Sequence, residues 1–268
     1  WINLPVIAVA VLLTIGAVDG TRGIAPRGLD LFGPGLSALG LAAGTWAVIS
    51  AGEHGWGVPQ LAAAAVAAGL LIGFVAVERR VPEPMLPPGL FAGRGFTVAV
   101  TVGFCLNVSF FGQLFVLSLF FQRTLGHDAW EAGLALAPQA CSAVVAAPLG
   151  GRAAARFGVF PAMLMGLVLG AAGFAGTAFI GSGTAPLVVS GVTFAAGFGM
   201  AFAMPAATAA AVSAVPDELA GTAGGVVNAA RQTGSVAGVA ILGGVVAADA
   251  SPSGFRVAML MAAGIFVV

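Results

Sequence analysis

Charge is what this sequence has least of. Only 7% of its 268 residues are Asp, Glu, Lys or Arg, against 59% that are hydrophobic. A water-soluble domain of this length covers its surface with far more charge, so a soluble globular fold is excluded. Lysine and tyrosine are absent, and all ten basic residues are arginine. The formal net charge is zero and no basic patch is present, so the electrostatic footprint of a nucleic-acid-binding protein is missing. The two cysteines, Cys105 and Cys141, lie in different apolar runs. They read as small buried residues rather than a disulfide or a metal pair. The two histidines, His54 and His127, fall between apolar runs and read as solvated loop residues. There is no H-E-x-x-H helix, no Ser/His arrangement and no phosphate-cradling glycine loop, so an enzyme is not expected, nor a cofactor or a bound metal.

The ends lack something too. "WINLPVIAV" opens without a Met, a charged n-region or a cleavage site. "FRVAMLMAAGIFVV" closes about a dozen apolar residues after Arg256, where a span needs roughly 20. The expectation is the later part of a longer polypeptide.

What is present is a series of long apolar runs, with a mean hydropathy of +1.06. They cover residues 2–18, 31–50, 58–77, 96–121, 131–150, 160–180, 186–210 and 222–247, with a shorter ninth from 257. Runs of this length with charge confined to the joints specify an all-α polytopic membrane protein, with the lipid bilayer as its solvent. Alternate joints carry Arg22 and Arg27, then Arg79, Arg80 and Arg94, then Arg152 and Arg156. The opposite joints carry only Arg123 and Arg256. By the retention of arginine in short cytoplasmic loops, the first run passes from outside to inside. The proline-rich connector "ERRVPEPMLPPGLFAGRG" (78–95) is a semi-rigid extended link and divides the chain. The expected parts are 1–18, 31–77 and 96–268.

Two polar faces interrupt the apolar runs. In "GGVVNAARQTGSVAG" (224–238), Asn228, Arg231 and Gln232 share one side of a helix with Gly221, Gly224 and Ser235. Arg231 lies ~15 Å into the run at 1.5 Å per residue. A charge at that depth costs a few kcal/mol against lipid, so this face meets protein or water. Two arrangements satisfy that requirement. The face lines a translocation path, with Arg231 drawing in anionic groups or pairing an acid elsewhere; or Asn228 and Gln232 bond a neighbouring helix while Arg231 snorkels to the cytoplasmic side. The second face belongs to 96–121, where Phe104, Asn107, Phe111, Phe115 and Ser118 fall within about 80° of a helical wheel. Rings with an amide suit the wall of an apolar ligand pocket, and rings alone equally suit lipid. Ser109 and Gln113 point the other way and read as helix–helix contacts. Pro138, Pro148 and Pro205 sit inside runs and should loosen those helices. No acid lies near the middle of any run.

Several stretches carry a family resemblance. "WINLP" (1–5) is similar to a W/F-I-N-x-P motif, and "EPMLPPGLFAGRGF" (83–96) to a cytoplasmic lead-in to a second bundle. "GLALAPQACSAVVAAPLGGRAAARFG" (133–158) is similar to a G-L-x-x-L-P helix followed by P-x-x-G-R-L-x-D-R-x-G. "NAARQTGSVAGVAI" (228–241) is similar to N-x-x-R-Q-x-G-x-x-x-G-x-A. In this order and spacing the chain resembles major facilitator superfamily transporters, and within them the 14-helix drug:proton antiporters.

The resemblance implies the last helix of a first bundle, two linker helices, and a second six-helix bundle with a truncated last helix. It also implies proton-coupled export of drug-like or amphipathic small molecules across a bacterial cytoplasmic membrane by alternating access. The implied partners are a small-molecule substrate, protons and the preceding bundle of the same polypeptide. Gly151, Arg152, Arg156 and Gly158 match the family's conformational loop, but Ala155 stands where that loop usually has an acid, which weakens the expected latch. The proton-carrying acid is then expected in the preceding half. The alternative reading is a non-transporting membrane scaffold or an inactive transporter fragment.

Overall fold

A computed structural model of the protein describes residues 4, 5, 7, 9, 11–13, 32–55, 57–81, 88–249 and 251–267. They fall into two units, Trp1–Leu31 and Phe32–Val268. In the first unit the described residues between 4 and 13 are helical. The proline-rich centre of the connector, 82–87, lies outside the described residues, as do Arg22 and Arg27.

The second unit is a succession of helices. α1 (Phe32–His54) and α2 (Val58–Glu78) form a hairpin, followed by a 3₁₀ turn at Pro88–Ala92. Then come α3 (Arg94–Leu119), extended by a π-helical turn at Phe120–Thr124, α4 (Ala129–Phe157), α5 (Val159–Thr177) and α6 (Pro186–Ser213). A second 3₁₀ turn at Asp217–Leu219 leads into α7 (Ala220–Ala248), and α8 (Pro252–Val267) closes the unit. No strand occurs among the described residues. The helices α2, α3 with its π turn, α4, α5 and α6 are long and apolar enough to cross a membrane. α7 has the length, at 29 residues, but Asn228, Arg231 and Gln232 in its middle make it less apolar.

The surface explains the composition. Val144, Phe160 and Leu187 are 76%, 69% and 84% exposed on the outside of the unit. In water each would forfeit the 1.5–3 kcal/mol or so that burial of such a side chain returns. Against lipid tails the penalty vanishes. The interior is filled by small residues instead, with Ala146, Ala196, Ala203, Ala206, Ala258 and Ala262 inaccessible. Lipid gives helices no hydrophobic reason to associate, so close backbone approach has to supply the attraction. One such approach is α3 against α7. A Cβ on Gly234 would stand 2.5 Å from the Phe104 carbonyl oxygen, and one on Gly238 would fall on that of Val108. From the other side, a Cβ on Gly112 would stand 2.6 Å from the Gly238 carbonyl oxygen.

Several boundaries differ from the apolar runs, each for a local reason. α4 starts two residues early because Asp128 caps it: its Oδ1 accepts from the Glu131 amide at 2.8 Å, while Glu131 Oε2 accepts from the Asp128 amide at 3.1 Å. It also ends seven residues late. "GRAAARF" is rich in helix formers, so Gly151, Arg152 and Arg156 lie inside the last turns of α4 and not in a loop. Only Gly158 turns the chain, at φ +93° and ψ 162°, a backbone region reserved for glycine. α8 begins at Pro252 because Asp249, Ser251 and Ser253 build its cap, with Ser251 Oγ accepting from the Ser253 amide at 3.2 Å. Hydrogen bonds from the side chain and amide of Ser251 hold the Asp249 carboxyl below its ordinary value, so this cap is complete at neutral pH and is lost as acid titrates it. The short α8 is anchored by rings: Phe255 stacks on Phe120 of the π turn at 4.3 Å, and Phe266 meets Phe174 of α5 at 4.7 Å.

Two smaller expectations are corrected. Cys105 is buried but Cys141 is exposed; it lies on the outward face of α4 beside Val144 and Val145, where a thiol is apolar enough for lipid. His127 is a loop residue, as expected, but is only partly solvated. Its ring stacks on Phe121 at 5.9 Å, and its Nδ1 is buried.

Substitution of Gly158 by Ala has room, since the nearest atom outside the turn is Pro161 Cδ at 3.8 Å. Its cost is therefore backbone strain of about 1–3 kcal/mol. Gly238→Leu should cost at least as much by forcing α3 and α7 apart, whereas Gly244→Leu, which meets nothing within 4 Å, should be neutral. Thermal unfolding of the full-length protein in detergent checks all three.

Candidate functional site

α3 and α7 are held at backbone contact by their glycines, and this brings the two polar faces together. Asn107 is buried at 1% exposure. Its Nδ2 donates to the Gly103 carbonyl one turn back at 2.9 Å, and its Oδ1 accepts from the Ser235 hydroxyl of α7 at 3.4 Å. Ser235 also donates to the Arg231 carbonyl at 3.0 Å. The aromatic set of α3 does not form one wall. Phe104 and Ser118 are half-buried, Phe111 and Phe115 are exposed, and Phe115 lies over Gly243, 2.8 Å from where its Cβ would be.

On α7, Asn228 and Gln232 are exposed and make no hydrogen bond to a described neighbour, while Arg231 is half-buried between them. The Arg231 stem crosses α3 where there is no side chain, its Cγ 3.5 Å from the place of a Cβ on Gly103. Its Nε is buried with no hydrogen-bond partner among the described residues.

Beyond Arg231 opens a cleft of about 640 Å³ between α4, α6 and α7. α6 supplies most of its wall through Met200, Met204, Thr208 and Val212, four apart and so on one helical face, together with Pro205; α4 contributes Ala147. The Thr208 hydroxyl is spent on its own helix, donating to the Met204 carbonyl at 3.0 Å. Pro205 lacks the amide that would bond the Ala201 carbonyl, so α6 is a helix turn short of one hydrogen bond where it lines the cleft. The cleft is an apolar trough with one charged group. The Met200–Met204–Thr208–Val212 spacing was readable in the sequence, but in a run where nearly every residue is apolar nothing set that face apart from those facing lipid.

A second polar cluster lies deep in the unit. Gln139 Nε2 of α4 donates to Gln113 Oε1 of α3 at 2.9 Å, and Gln113 Nε2 donates to the Thr177 hydroxyl of α5 at 3.2 Å. Thr177 in turn donates to the Phe174 carbonyl at 2.6 Å. All three side chains are at most 1% exposed. Gln113 is thus a helix–helix contact, as expected. Gln139 is a lone amide next to Pro138 in an apolar run, so its neighbours in sequence do not mark it as a contact. This chain is a tie between three helices with no access for a ligand. Among the described residues no group of His, Cys, Asp or Glu could hold a metal.

The Major Facilitator Superfamily model matches residues 29–239, which takes in every element of the cleft. The chain belongs to the major facilitator superfamily. It is 36% identical over 243 residues to the "Methylenomycin A resistance protein" of Streptomyces coelicolor, covering 90% of this chain and 51% of that protein. It is 31% identical to the "Multidrug resistance protein Stp" of Mycobacterium tuberculosis, covering 92% and 46% respectively. It is also 31% identical to the "Tetracenomycin C resistance and export protein" of Streptomyces glaucescens, covering 91% and 46%. The chain spans about half the length of these curated relatives. As a member of this superfamily it is a multi-pass protein of a bacterial cell membrane.

Replacing Gln113 by Leu strands the Gln139 amide, whose Oε1 already lacks a partner. The expected loss is about 1–3 kcal/mol, most of it recovered in the Gln113→Leu/Gln139→Leu double variant, because removing both partners leaves nothing unpaired. Unfolding midpoints of the two variants decide this.

Proposed function

We propose that this facilitator, as part of its full-length polypeptide, exports drug-like amphipathic small molecules across the bacterial cytoplasmic membrane in exchange for protons, by alternating access. The observation that carries the proposal is the cleft of about 640 Å³, apolar but for Arg231 and a satisfied Thr208. Its size lies within the roughly 300–1,000 Å³ of small-molecule sites, and its lining matches their pattern of apolar walls with few polar anchors. The names of the relatives, resistance and export proteins, support the same cargo class.

The cleft is this chain's share of the path, with the exposed Asn228 and Gln232 on the helix that borders it. Pro205 in α6 and Pro138 and Pro148 in α4 remove hydrogen bonds from two of its three walls, which eases the bending that exchange between inward- and outward-open states requires. A titrating group inside the path is the requirement for proton coupling. The acids of the described helical bundle, Asp128, Glu131, Asp217, Glu218 and Asp249 among them, sit at helix ends, so the proton carrier is assigned to the preceding bundle of the same polypeptide. In α4, Arg152 and Arg156 remain the residues proposed to stabilise one conformation at the helix end, with Ala155 unable to pair either.

The test is efflux of the neutral dye Nile red from cells lacking other exporters. The full-length protein should lower dye accumulation, and a protonophore should abolish the effect. Met204→Trp, which fills the cleft, should reduce export severalfold, while Leu164→Trp on the exposed face of α5 should not. Full-length protein that moves no dye would remove this reading and favour the scaffold, and a Met204→Trp variant as active as Leu164→Trp would remove the cleft from the path.

A further inference from the structure

We infer that Arg231 is an anion receptor within the cleft, so that the preferred cargo is an amphipathic acid: an apolar body bearing one carboxylate or sulfonate. This deepens the export reading above and rests on it. Four observations carry it. The guanidinium, a cation with five N–H donors, stands three turns into a membrane helix. Its Nε is buried and unpartnered, and no described acid pairs with it. Its stem packs over Gly103, with Cγ 3.5 Å from the place of a Cβ there, which leads the guanidinium toward the cleft it lines. The only other polar side chain of the lining, Thr208, is already bonded to its own helix.

A cleft with one charged donor and apolar walls is completed by a ligand that is apolar except for one acceptor group. Arginine's planar fork matches a carboxylate or sulfonate with two parallel hydrogen bonds. Against apolar walls such a bond counts for more than in bulk water. The flanking amides of Asn228 and Gln232, exposed on the same helix, can take a second polar group of the cargo. An apolar cation would meet the arginine's charge at short range in a low dielectric, which disfavours it.

The experiment uses the full-length protein in inside-out vesicles and two probes with one body, dansylglycine (a carboxylate) and dansylglycinamide (neutral). The wild type should move the acid with the higher kcat/KM. Arg231→Gln should lower kcat/KM for the acid by about tenfold or more, as expected for losing a charge-assisted hydrogen bond, while transport of the amide stays within about twofold. Arg231→Lys should restore part of the acid transport, since it returns the charge without the fork. Equal loss of both probes in Arg231→Gln would make the arginine a structural or interhelical partner and overturn the inference. So would a wild type that prefers the amide. Transport of Nile red without either dansyl probe would also overturn the inference while leaving the export reading standing. Failure of all three probes would sink the export reading and this inference with it.

Discussion

The contact on which the site depends is the backbone-to-backbone packing of α3 and α7. Gly234 and Gly238 lie against the carbonyls of Phe104 and Val108, and Gly112 against that of Gly238. Any side chain at these positions would separate the helices. The separation would draw Ser235 away from Asn107 and lift the Arg231 stem off Gly103. A membrane bundle has few ways to hold helices together, because lipid is as good a solvent for leucine as another helix is. Close approach multiplies weak dispersion contacts, and in this unit it also sets where Arg231, the charge in the middle of α7, can stand.

The second constraint is that polar atoms inside the bundle must find each other. Gln139, Gln113 and Thr177 do so in a single line from α4 through α3 to α5. The line fixes one side of the bundle by directional bonds, while on the other side the Met-lined cleft is nearly free of them. One region is tied by polar bonds within, and the other is apolar and open.

Much of the fold could be read from the apolar runs, because length and hydropathy answer directly to the thickness and polarity of the bilayer. Errors clustered at helix ends, where single residues decide: the Asp128–Glu131 cap, the alanine-rich extension that carries Arg152 and Arg156 into α4, and the Ser251 cap that starts α8 early. The candidate site was half legible. Arg231, Asn228 and Gln232 stood out as the only cluster of polar groups within their run. The phenylalanines of α3 could not be sorted in the same way, because a ring suits lipid and ligand alike; they proved to be spread between the α7 contact and the exposed surface.

By itself the sequence determined the solvent, the helical class, the number and order of the runs, and the presence of one charge deep within them. All of these follow from local composition and its period along the chain. Tertiary structure alone decided which of the small residues make contacts, which glutamines bond each other, and which methionines face a cavity. Those depend on how helices far apart in sequence are rotated against one another. In a chain so uniformly apolar, rotation leaves almost no trace in the pattern of residues. The burial of Asn107 shows the difference: its amide announced that it must avoid lipid, but only the approach of Ser235 showed where it went.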